Sequence, residues 1–104
     1  MNIQDLVEKI KNEKIKWRGH ASKRMLERSI KKEDVIHSVI HGEIIEQYAK
    51  DFPFPSCLIA GSTLLDEPLH TVCSIGQDNV WIITVYKPDR DKWKGNFKIR
   101  KEEK

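Results

Sequence analysis

The hydrophobic period of this chain changes once, at Gly42, and that change constrains the fold more than any other feature. Upstream, Ile3, Leu6, Val7 and Ile10 follow the i, i+3, i+4, i+7 spacing of an amphipathic helix, with Asn2 placed to cap it, which predicts a helix over 3–13. After an extended piece at 15–18, Gly19 breaks the pattern. His20 to Arg28 then reads as a second helix that buries Ala21, Met25 and Leu26, anchored by Ile30. A third helix starts in the Ser29 to Asp34 stretch, carries Val35, Ile36, Val39 and Ile40 on one face and stops at Gly42. Downstream the pattern is extended, with predicted strands at 43–48, 57–62, 69–75 and 80–86. Pro53, Pro55 and Pro68 cannot continue a central ladder because proline has no amide donor, and Gly76-Gln77-Asp78-Asn79 marks a tight hairpin. Helices first and a meander afterwards predict an α+β domain with N-terminal helices packed on a four-stranded, mainly antiparallel sheet. The last two strands, apolar on both faces, belong at its centre.

A chain of 104 residues fits one domain, 1–104, that folds without staples. Cys57 and Cys73 stand in apolar runs without CxxC spacing, and the start Met-Asn-Ile-Gln-Asp has no secretory character. Buried, reduced thiols and a cytoplasmic location are therefore expected. No apolar run approaches the roughly 20 residues of a membrane span, so no membrane partner is expected.

The formal net charge of +3 hides a segregation. Residues 1–32 hold ten Lys or Arg against four acids, residues 33–86 one against eight, and residues 87–104 eight against four, giving blocks of +6, −7 and +4. If the two ends meet in space they form a basic surface able to hold a polyanion such as RNA. The competing reading is that Lys9, Lys11, Lys14 and Lys16 merely solvate a helix and its exit.

The chemistry-capable residues fall in two segments. On the second helix His20, Arg24, Glu27 and Arg28 share one stripe, opposite Met25. Forked guanidiniums grip a phosphate while an imidazole moves a proton near neutral pH, and Glu27 is placed to orient an arginine. A solvated helix face with an internal Glu–Arg pair is the plainer alternative. In the second segment His70 opens a strand, and Thr84 and Tyr86 alternate on one face of the next. Here the register matters. A two-residue hairpin with Gly76 opposite Asn79 sets Cys73 against Ile82 and Thr71 against Thr84, which turns His70 away from Thr84 and Tyr86 unless a bulge intervenes. His70 is equally readable as a satisfied core histidine.

Other features carry less. His37 and His41 have the i, i+4 spacing of a helical metal pair, yet no acid or thiol nearby completes a ligand set, so no metal or other cofactor is expected. Among Trp17, Trp81 and Trp93, the last stands in the basic tail and is the better candidate for stacking on a base, although a tail tryptophan more often pins its own terminus.

From about Trp17 to Arg100, His20 with Arg24-Met25, Glu27-Arg28, Ile30, Val35, Gly42-Glu43-Ile44-Ile45, Tyr48, Pro55-Ser56, Leu69-His70, Ile83-Thr84-Val85-Tyr86, Pro88-Asp89 and Trp93 resemble a bacterial family catalogued as domain of unknown function 4258. Members resemble small ribonuclease toxins of the RelE and BrnT kind, often encoded beside a zinc-finger antitoxin of the MqsA (YgiT) type. The resemblance implies a RelE/BrnT-like fold, RNA as substrate and such an antitoxin as partner. The family usually has Gly where this chain has Ser29, and the first helix lies outside the match. The implied mechanism needs no metal: the ribose 2′-hydroxyl attacks the neighbouring phosphorus while side chains move protons and fixed cations hold the phosphorane. His20 or His70 is then the proton carrier, Arg24 and Arg28 hold the phosphate, and Thr84 and Tyr86 orient the substrate or act as acid. On this reading His20→Ala, Arg24→Ala and Tyr86→Phe each lose cleavage. A non-catalytic nucleic-acid or protein binding module is the alternative, with the basic ends and exposed aromatic holding nucleic acid or a partner protein and the acidic middle block docking a basic antitoxin segment. The nuclease reading as one site requires the early stripe and the late hydroxyls to point into the same hollow; on opposite sides of the molecule they would leave only an adhesive surface.

Overall fold

The computed structural model describes residues 1–102. In chain order the elements are α1 (Ile3–Lys11), β1 (Ile15–Trp17), α2 (Gly19–Glu27), α3 (Lys32–Ile40), β2 (Glu43–Tyr48), β3 (Ser56–Ser62), β4 (Pro68–Gly76), β5 (Asn79–Tyr86), β6 (Trp93–Lys94) and β7 (Ile99–Arg100). The class is α+β, as the change of period predicts. The sheet, however, has five strands in the order β1-β5-β4-β3-β2, and β1 lies parallel to β5 while the other neighbours are antiparallel. The extended piece before α2 is therefore an edge strand, tied down where Val80 donates to the Lys14 carbonyl and Arg18 to that of Ile82. The tail adds a separate two-stranded sheet of β6 and β7, absent from the expected layout.

The helices end where local chemistry stops them. Asn2 caps α1 by accepting from the Gln4 amide at 2.7 Å, and Glu13, two residues past its end, takes φ 60°. At the end of α2 the Ile30 amide donates to the Met25 carbonyl at 2.9 Å and that of Ser29 to Leu26 at 3.4 Å, around a left-handed Ser29 at φ 56°. This is a Schellman turn, with Ile30 and Met25 meeting in the core. Leu26, expected inside, is 84% exposed: α2 buries only Ala21 and Met25.

One face of the sheet carries Cys57, Ile59, Leu69, Cys73, Val80, Ile82 and Val85, and the helices cover it with Leu6, Ile10, Ala21, Met25, Val35 and Val39. α3 docks closely at the end of β3, since a Cβ at Gly61 would lie 2.1 Å from the Ser38 carbonyl oxygen. Cys57 and Cys73 face each other across β3 and β4, free and buried, with sulfurs 3.9 Å apart. The hydrogen bond with the neighbouring Cys57 thiol, and then burial, push the Cys73 thiol up.

Candidate functional site

The β4–β5 hairpin decides what the second segment can do. Its turn has Gln77 and Asp78 at φ 54° and 64°, the positive angles of a two-residue type I′ connection, and it sets Gly76 opposite Asn79 and Cys73 opposite Ile82. The register then shifts. Val72 pairs with Thr84, Thr71 with Val85 and His70 with Tyr86, so Ile83 is the extra residue of a bulge. One added residue flips everything beyond it, and His70, Thr84 and Tyr86 come to lie together on the face away from the helices.

On that face His70 is held on three sides. It is 1% exposed. Its Nε2 lies 2.8 Å from the Phe97 carbonyl, which can only accept, so Nε2 carries the proton. Nδ1 therefore accepts from the Tyr86 hydroxyl at 3.1 Å. The Trp93 ring stands edge-on at 4.5 Å. Trp93 is itself buried beneath Arg100, whose guanidinium carbon is 4.6 Å from its ring centre, and Arg100 forks onto Glu46 at 2.7 and 3.0 Å. Tyr48 also donates to Glu46. Burial pushes His70 below its ordinary value, and Arg100 adds to this, against opposing pulls from the Phe97 carbonyl and Glu46. Burial raises Tyr86, while burial and the Glu46 carboxylate push Tyr48 up to about 12. The bond from Arg100 holds Glu46 below the usual carboxylate range.

The first segment lies on the other side of the sheet. α2 packs on β5 through Ala21 and Met25, leaving His20, Arg24 and Arg28 exposed. His20 has no side-chain hydrogen bond among the described residues. Arg24 stands 3.8 Å from Glu27, the expected internal pair. Arg28 reaches over the end of the sheet, donating from Nη1 to the Val85 carbonyl at 2.8 Å. That bond is where the two segments meet. Otherwise Met25, Ile82 and Val85 lie between them, so the stripe and the hydroxyls do not share a hollow as the sequence reading required.

The charge blocks find each other. Lys9 and Lys14 pair with Asp78, Lys87 with Glu67, Lys98 with Glu43 and Arg100 with Glu46, so cations from both ends neutralise the acidic middle. Those two lysines hold Asp78 down at about 2. Among the described residues twelve Lys and Arg make no ion pair, and six of them, Lys16, Arg18, Lys23, Arg28, Lys31 and Lys32, lie on or beside α2, while Lys11, Lys50, Arg90, Lys92, Lys94 and Lys101 are spread over the rest of the chain.

Other candidates resolve as follows. His37 donates to the Ser62 carbonyl at 3.0 Å and lies with its ring centre 4.6 Å from that of His41, the two planes tilted by 50°, and the described residues hold no cluster of three potential metal ligands. Trp93 pins its own tail. Sequence reasoning missed Glu46, Tyr48, Phe97 and Arg100. The alternation of Glu46 and Tyr48 along β2 was the available signal for two of them; a backbone carbonyl and a tail arginine gave none.

The profile of the family described as domain of unknown function (DUF4258) matches residues 17–87, and the chain belongs to that family. The match stops short of Arg100: it contains His20, Arg24, Arg28, His70, Thr84 and Tyr86 but leaves out α1 and the tail that holds His70. No curated protein and no solved structure matches.

Proposed function

We propose that this protein acts on RNA as a metal-independent endoribonuclease of the small-toxin kind, and that it works from the surface of α2. His20 takes the proton of the ribose 2′-hydroxyl as that oxygen attacks phosphorus. Arg24 and Arg28 hold the phosphate, and the departing 5′ oxygen takes a proton from solvent at this open surface, leaving a 2′,3′-cyclic phosphate. The observation that carries the reading is an exposed, unbonded imidazole in line with two guanidiniums, amid cations that have no acid to neutralise them. His70 is set aside as the carrier because both of its nitrogens are committed. Thr84 and Tyr86 become parts of the sheet face that seats it.

The expected RelE/BrnT-like layout is met only at the level of the α+β class, because the sheet has five strands with β1 parallel to β5, and a shared class hosts many functions. A zinc-finger antitoxin of the MqsA type would, on this reading, cover α2. Of the acidic block, Glu43, Glu46, Glu67 and Asp78 are engaged internally, which leaves Glu33, Asp34, Asp51 and Asp66 outside any ion pair among the described residues.

A specific observation favours a second reading, RNA binding without cleavage: the hydroxyls expected to serve as acid lie across the sheet from His20. One tube separates the two. Purified protein is incubated with RNA in EDTA. The nuclease yields fragments ending in cyclic phosphate; His20→Ala loses them, and Tyr86→Phe keeps them. A binder shifts the RNA intact and releases it as salt rises, and a metal-dependent hydrolase falls silent.

A further inference from the structure

A hollow of about 430 Å³ opens at the N-terminal end of α2, lined by Trp17, Arg18, Gly19, Phe54, Gln77 and Trp81. Three aromatic rings reach it from three parts of the chain, and each is fixed. Phe54 lies against the backbone of Gly76, where an added Cβ would come within 2.5 Å of its ring. Trp81 is anchored by its indole N–H donating to the Gly76 carbonyl at 3.0 Å. Trp17 packs on the core at the end of β1. Cations frame the rings: the Arg18 guanidinium lies 5.9 Å from the Trp81 ring centre and the Lys32 ammonium 5.2 Å from that of Trp17. No Asp or Glu lines the space, and the Gln77 side chain is exposed there. A Cβ at Gly19 would meet nothing within 4 Å, so the mouth is open immediately beside His20.

The geometry points to this hollow as a binding site for an unpaired nucleobase of single-stranded RNA. Flat aromatic faces take a base of any identity, the primary amide of Gln77 meets a base edge, and Arg18 with Lys16 and Lys32 meets the phosphates on either side. A duplex keeps its bases stacked inside and cannot offer one. The site lies one residue from His20 and so selects single-stranded substrate for the α2 surface. The inference rests on the reading that the chain handles RNA.

The test uses the full chain with three probes of equal length: a single-stranded RNA oligonucleotide, the same sequence in a duplex, and an abasic ribose-phosphate chain. Binding is followed by anisotropy and by quenching of tryptophan fluorescence. The single strand binds about tenfold or more tighter than either other probe, and Phe54→Ala and Trp81→Leu each cut that preference about tenfold. Circular dichroism checks that these variants fold; Arg18→Gln, at an exposed position, gives a smaller loss in the same direction and keeps the test sharp if either aromatic variant unfolds. RNA bound with no preference for bases, or a preference unmoved in the folded variants, overturns the hollow as a base site and leaves the α2 reading standing. No binding of any probe overturns both. Preference for bases without cleavage in EDTA supports the hollow and sinks the nuclease.

Discussion

His20 and His70 are the same residue in opposite circumstances. His20 stands in solvent on α2, without a side-chain partner among the described residues and with Arg24 and Arg28 along its stripe. His70 is enclosed on the other face of the sheet, donating to Phe97, accepting from Tyr86 and wedged against Trp93. Burial with complete hydrogen bonding turns an imidazole into a structural pin, because a proton lost at Nε2 would break the Phe97 bond and one gained at Nδ1 would reverse the Tyr86 bond and charge a buried ring. Exposure beside fixed cations leaves it free to react. The difference teaches that the two halves of the sequence pattern serve different purposes: the early stripe faces solvent, and the late one holds the tail to the sheet.

The sharpest way to break that comparison is to remove each ring in turn. His20→Ala changes folding stability by no more than about 0.5 kcal/mol, as expected of an exposed side chain. It lowers RNA cleavage about a hundredfold or more, the usual contribution of a positioned proton carrier. Denaturation and a cleavage time course on the same sample check both halves. His70→Leu does the reverse. It leaves the Tyr86 hydroxyl and the Phe97 carbonyl without their partner and costs about 3 kcal/mol of stability, read as a lower denaturant midpoint. Variants still folded at low temperature cleave at the parental rate. If the stability loss falls on His20 and the activity loss on His70, the assignment of the two faces is inverted.

pH sharpens the contrast next. Burial holds His70 below its ordinary 6.5, so the folded state favours the neutral ring. Below 6.5 the unfolded chain takes up a proton that the folded chain resists. Its contribution is therefore complete above 6.5 and is lost as pH falls through that value toward the folded pKa, at up to about 1.4 kcal/mol per pH unit. Glu46 and Asp78, both held down by cations, act in a separate window below the ordinary carboxylate values. Urea denaturation between pH 7.5 and 5 shows the decline in the parent and a flatter profile in His70→Leu. An equal slope in both would assign the titration elsewhere.

The helices were legible because each carries a helical period, and the four long strands because each is a run of six or more residues rich in apolar side chains set off by glycine and proline breaks. β1 was not: three residues have no period, and what makes them a strand is β5, more than sixty residues away. The β6–β7 pair is two residues a side in a charged tail, and Trp93 was its only visible anchor. For the site, the residues of the α2 stripe and the chemistry of its spacing could be read directly, whereas the partners of His70 could not. They depend on one extra residue at Ile83, in a run of β-branched residues where any position serves equally well as a bulge. Leu26 fails for a related reason: helical spacing places it beside Met25, but α2 packs chiefly on β5, and Leu26 on its outer side stays exposed.

The smallest effect tests the end of α2, where the outward face is fixed to the sheet. Ser29 occupies the left-handed C′ position at φ 56°, a conformation that costs an L residue with a Cβ about 1–2 kcal/mol. Ser29→Gly removes that strain but frees the unfolded chain, which returns about 0.4–1 kcal/mol, so a net gain of about 0.5–1 kcal/mol in unfolding free energy is expected. The Schellman bonds from Ile30 to Met25 and Ser29 to Leu26 use backbone atoms alone and survive the change. Arg28, one residue upstream, keeps its bond to Val85, and RNA affinity stays at the parental level. A destabilised Ser29→Gly would mean that the serine side chain holds this turn, and the anchoring of Arg28 would then depend on that side chain rather than on the backbone geometry that glycine provides.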